Sequence, residues 1–110
     1  MKLDPQIRLV TICDMDRQIW LSHHRPGVVN LLTPEESRKS LEMALKGWKT
    51  RSELEPKIGK GKYVLAEYEK VKRITMPLGD NHLLYVTTEV SADHANIING
   101  IIKIPLIIGP

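Results

Sequence analysis

Cysteine is all but absent from this chain: Cys13 is the only one in 110 residues. One cysteine cannot close an internal disulfide, and its scarcity fits a reducing, cytoplasmic setting. No run of 18 consecutive apolar residues occurs, so no membrane-spanning helix is expected. The first residues lack the apolar core of a secretory signal, so neither export nor a membrane partner is expected. A phosphate-binding P-loop is missing too. "GKGK" (59–62) only resembles one, because Pro56 stands where the pattern needs its first glycine and Tyr63 where it needs Ser or Thr. Zinc would require a second close pair of ligands beside Cys13, His23 and His24, and no second cysteine exists. No cofactor or metal is expected.

What remains is enough for one domain, residues 1–110. Hydrophobic residues make up 42% of the chain and charged residues 26%, which suits a packed core. A domain of this size buries only about two-thirds of its unfolded surface, so a partner copy would add stability. The net charge of +3 is unevenly placed. Residues 46–73 hold nine Lys/Arg against four Glu. Lys57, Lys60, Lys70, Lys72 and Arg73 form the candidate basic patch, with Tyr63 and Tyr68 interleaved, a pattern that can bind single-stranded nucleic acid. It also describes an ordinary solvated face, and nucleic acid is the less favoured partner.

"IRLVTIC" (7–13) is nearly continuous in apolar and β-branched residues and reads as a central strand. "DMD" (14–16) is a turn, and "QIWLSHH" (18–24) the returning strand. "RPGVVN" (25–30) is loop. The clearest helix spans 34–50. Thr33 is its N-cap, Pro34 its first residue, and Glu36 completes a Thr-x-x-Glu capping box. Leu41, Leu45 and Trp48 share one face. Ser52 and Glu55 suggest a second box, a kink near Thr50, and an end at Pro56. After a flexible 59–62 connector come strands over 62–69, 71–78 and 82–90. A helix over 91–104 follows, capped by Ser91 or Asp93, with Ile97, Ile98, Ile101 and Ile102 on its apolar face. The tail 105–110 has no evident place. The order β-β-α-β-β-β-α implies an α+β fold, with helices on both faces of a central antiparallel sheet.

"PLGDNHLLYVTTE" (77–89) gathers His82, Thr87, Thr88 and Glu89, yet strand geometry argues against a reactive cluster. Thr87 and Thr88 point to opposite faces, and His82 lies about 17 Å of strand from Thr87. Cys13 ends an apolar strand and reads as a small buried hydrophobe. Asp93-His94 reads as a helix cap with an exposed imidazole. No catalytic residues emerge, and no enzyme is expected.

The segment "YVLAEYEKVKRITMPLGDNHLLYVTTEVSADHANIINGIIKI" resembles the C-terminal two-thirds of the Roadblock/dynein-light-chain family. That family shows a three-strand meander, a "pL-x-d-x-x-lL" hairpin and a closing helix, and Pro77-Leu78, Asp80 and Leu83-Leu84 match it. More narrowly, "DP-x-IR", "RPGV-x-x-LL", "KIGKGKYVLAEYEK-x-KRIT-x-P" and "TTEV-x-ADH" are similar to features of a group of short archaeal proteins. Roadblock domains usually open with a helix, whereas only 1–6 precede the first strand here. Those residues are expected to be disordered or the remnant of such a helix.

The resemblance implies a five-stranded sheet of order 2-1-5-4-3 and a non-catalytic, homodimerising scaffold that regulates a small GTPase. The strand 62–69 would then be an edge, pairing with its symmetry mate while the two copies of 34–50 meet. The expected dimer interface comprises Leu41, Leu45, Trp48, Lys62, Tyr63, Val64, Leu65 and Glu67, with Lys62 opposite Glu67 setting register. The alternative is a small-ligand sensor of the PAS or profilin-like type. It requires an apolar pocket with a few polar groups between sheet and long helix.

Overall fold

In a computed structural model of the chain, residues 5–16, 18–28, 31–79 and 81–102 are described. Strand β1 runs Ile7–Asp14, β2 Ile19–His24, β3 Val64–Glu67, β4 Val71–Leu78 and β5 His82–Glu89. Helix α1 runs Pro34–Ser52, α2 Glu55–Ile58 and α3 His94–Ile102. The five strands form one sheet in the order β2-β1-β5-β4-β3, every pairing antiparallel. The expected order is therefore the observed one, with β1 inside the sheet beside β5. The N-terminal residues 1–4 and the tail from 103 onward lie outside the described residues, as does Asp80 of the family pattern. Among the described residues no helix is long and apolar enough to cross a membrane.

Alternation along the strands divides the core in two. Ile7, Val10, Ile74, Met76, Leu84 and Val86 meet Ile97, Ile98 and Ile101 of α3 on one face. Cys13, Leu83 and Tyr85 meet Leu41, Leu45 and Trp48 of α1 on the other. The mixed apolar run of β1 is explained by this two-sided burial. Helix α1 starts as its sequence dictates. Glu36 N–H donates to Thr33 Oγ1 at 3.1 Å, and Thr33 N–H to Glu36 Oε1 at 2.9 Å.

Several expected boundaries move. The helix continues past Thr50 to Ser52. Ser52 Oγ donates back to Lys49 O at 2.7 Å, so it cannot cap a second helix. Pro56 does not end a helix but sits in the first turn of α2, where its missing N–H costs nothing. The 59–62 connector is exposed, but it touches the core at one point: an added Cβ on Gly61 would lie 2.7 Å from Trp48 Cζ3. Strand β3 has four residues rather than eight. Tyr68 N–H already donates to Val71 O, at 2.8 Å, in the turn to β4. Helix α3 begins after Asp93, whose Oδ1 accepts from Asn96 N–H at 3.1 Å, so Asp93 rather than Ser91 is the cap. Ile102 faces solvent, unlike the three isoleucines before it.

Candidate interaction surfaces

The residues expected at a dimer interface fall into two groups. Leu41, Leu45 and Trp48 are buried within the single chain, Trp48 to 7% exposure. Their apolar surface is spent on the sheet, so only the outer side of α1 faces away from it. Val64 and Leu65 are half-buried and Glu67 exposed on β3, which pairs on one side only. Lys62 and Tyr63 precede the strand, so Lys62 has no strand position from which to face Glu67. Tyr63 and Tyr68 bracket β3 and are each 47% exposed.

The opposite edge went unremarked in the sequence. All six residues of β2 are exposed, Trp20 to 63% with Ile19 and Leu21 beside it. The order 2-1-5-4-3 makes β2 an edge as surely as β3. Trp20 Nε1 donates to Asp14 Oδ2 at 3.1 Å, and its ring meets His82 edge-on at 4.5 Å. Asp14 Oδ1 also accepts from Gln18 N–H and Asp16 N–H. These bonds, that from Gln18 first, hold its carboxyl below the usual range.

The basic residues do not form one patch. Lys57, Lys60 and Lys70 are exposed. Lys72 is buried to 7% exposure, its ammonium donating to Ala92 O at 2.8 Å and lying 3.0 Å from His94 Nδ1. Next along β4, Arg73 points to the other face. Its guanidinium carbon lies 5.2 Å from the ring centroids of both Tyr68 and Tyr85. Adjacent strand residues cannot serve one surface, and Lys72 is withdrawn from any phosphate. The five residues therefore do not share one surface.

The suspected cluster at 82–89 separates as strand geometry requires. Thr88 is buried, whereas Thr87 lines a groove on the opposite face. Glu89 accepts from Arg25 and Arg8. With Arg25 Nη1 donating to Pro5 O at 2.6 Å, the cluster fastens the chain start to the ends of β2 and β5. The bond from Arg25 is the chief reason the Glu89 carboxyl titrates below its ordinary range; the charge and hydrogen bond of Arg8 add to it. Burial, with Asp14 adding to it, raises the Cys13 thiol to about 11.

Between the first half of α1 and the sheet lies a cavity of about 610 Å³. Its cause is visible in the helix. Leu41, Leu45 and Trp48 form the inward stripe, and Ser37 lies one turn before Leu41 on the same face. Continuing the stripe would need another large apolar residue, but Ser37 and Arg38 stand there. Beneath them the sheet presents Thr87, Leu9 and His24 side by side, then Tyr85, Thr11 and Ser22.

With that geometry the chain has the Roadblock/LC7 fold. It superposes on the Roadblock/LC7 domain from Streptomyces avermitilis with a TM-score of 0.67 at 15% identity, over 87% of this chain and 77% of that one. MglB of Myxococcus xanthus gives 0.68 at 13% identity, over 88% and 76%. A structure described as MglB with tetrameric arrangement gives 0.73 at 10% identity, over 88% and 71%. Comparison with protein-family models and with curated proteins finds no match.

Proposed function

We propose that this chain is a non-catalytic, homodimerising scaffold that works in the cytoplasm and binds a small GTPase. The observation that carries the reading is the open β3 edge, flanked by two exposed tyrosines, on a Roadblock/LC7 fold. An unprotected strand edge is a template for pairing, and natural proteins cover it or use it. Pairing of β3 with its symmetry mate gives a two-fold contact and one ten-stranded sheet. Self-association within this fold is supported by the tetrameric arrangement described for MglB. Fold alone does not carry a function; the GTPase follows from what the family resemblance implies.

The test is direct. The purified chain is used to capture small GTPases of its own cell, and their hydrolysis rates are measured with and without it. Capture of a GTPase, or a changed rate, supports the proposal. No binding and no rate change for any of them removes it.

A further inference from the structure

We propose that the groove under α1 is a binding site for a small amphiphile with one anionic head and an aliphatic tail. The inference stands apart from the scaffold reading and rests on how the groove is lined.

Arg73 supplies the head-group contact. Of its five N–H donors, one serves a protein partner, Nη1 to Tyr68 Oη at 3.3 Å. No carboxylate pairs with it among the described residues, and its Nε is shielded from solvent without a hydrogen-bond partner. Arg73 is half-buried, and a shielded donor such as its Nε is costly unless something accepts from it. The two tyrosine rings hold the guanidinium in place, so little entropy is lost when an oxyanion docks.

Two further arginines line the same groove. Arg38 enters from α1. Arg8 enters through a bulge: β1 advances from Ile7 to Leu9 while β5 steps only from Thr88 to Thr87. Arg8 is the extra residue, and a bulge re-aims the side chain it inserts. Arg8 is ion-paired with Glu89 at 3.1 Å, and the lining holds one carboxylate, Glu42, beside Arg38 and Arg73. The resulting positive field favours an anion.

The remainder suits a tail. Leu9, Ile19, Leu31, Leu32 and Leu41 line the groove. From Arg73 on β4 through Thr87 and Leu9 to His24 on β2 the floor crosses three strand spacings, about 14 Å. A mostly apolar cavity of about 610 Å³ with a few placed polar groups has the size and character of ligand sites. The head is a carboxylate or a phosphate monoester, two forms of the same oxyanion chemistry that guanidinium binds bidentately.

Calorimetric titration with decanoate, decyl phosphate and decanol, all below their aggregation concentrations, tests the proposal. At least one anion is expected to bind ten-fold or more tighter than decanol; whichever anion is tighter identifies the head. Arg73→Gln should abolish that preference. Ser37→Leu continues the apolar stripe of α1 into the groove and should remove binding of all three while leaving the far-ultraviolet circular dichroism of the folded chain intact. Anions that bind no better than decanol, or not at all, overturn the proposal. So does binding unchanged in both variants, or light scattering in which Ser37→Leu alters self-association rather than uptake, meaning a second copy fills the groove.

Discussion

Trp48 Nε1 donates a 2.9 Å hydrogen bond to Thr75 Oγ1 inside the core. This joins α1 to β4 across 27 residues of chain, and both partners are buried. The indole fills space and satisfies its own polar atom at once. Two substitutions separate these roles. Trp48→Ala should cost roughly 3–5 kcal/mol in urea unfolding, because it opens a cavity. Thr75→Val keeps the volume but strands the indole N–H, at about 1–3 kcal/mol. A Thr75→Val variant as stable as the parent would mean the bond contributes nothing.

Gly61 owes its identity to the same ring. Any Cβ there would sit 2.7 Å from Trp48 Cζ3, and the rigid indole is hemmed in by the sheet. Gly61→Ala should destabilise by about 1–3 kcal/mol through overpacking. Gly61→Ala combined with Trp48→Leu should recover part of that loss, a coupling visible in a double-mutant cycle. Strict additivity would show that the contact is not the cause.

Much of this architecture is legible from residue types alone. The Thr33–Glu36 box, the Leu41–Leu45–Trp48 stripe and the two-sided run of β1 each follow from local chemistry, and they place five strands and two helices in order. What escapes has a physical reason. Ser52 bonds Lys49 O instead of capping, a choice between two local partners that spacing cannot settle. Strand β3 is cut short by a turn that forms at Tyr68 despite continuing alternation. Lys72 and Arg73 look alike in sequence but face opposite sides of the sheet. The groove had a signal all along, in the polar Ser37 and Arg38 where the stripe should continue.

Glu89 should govern the acid limb of stability. Its carboxyl titrates below the ordinary value of 4.5, first because Arg25 bonds it, with Arg8 assisting. A depressed carboxylate stabilises the fold fully above its unfolded pKa. That contribution is lost as pH falls through the folded value. Wild type should therefore exceed Glu89→Gln in stability near neutral pH, and the two should converge as the pH falls through the depressed folded value, below 4.5. Parallel curves over that range would assign the acid limb to other groups.

Cys13 should be inert in the folded chain. It has no solvent exposure, and burial together with the Asp14 charge raises its thiol to about 11. Because the thiolate is the nucleophile, a disulfide reagent at pH 8 should modify it only at the rate of unfolding, accelerating sharply in urea. Fast labelling of the native protein would show that β1 opens locally.

The central claim is that β3 pairs with a second copy, and light scattering at micromolar concentration tests it most directly. The chain mass is 12.5 kDa. The account predicts a particle of twice that mass, and a Leu65→Pro variant, which removes a ladder donor from a four-residue edge, that remains folded by circular dichroism at the single-chain mass. A wild-type protein that stays at 12.5 kDa across the concentration range would contradict it.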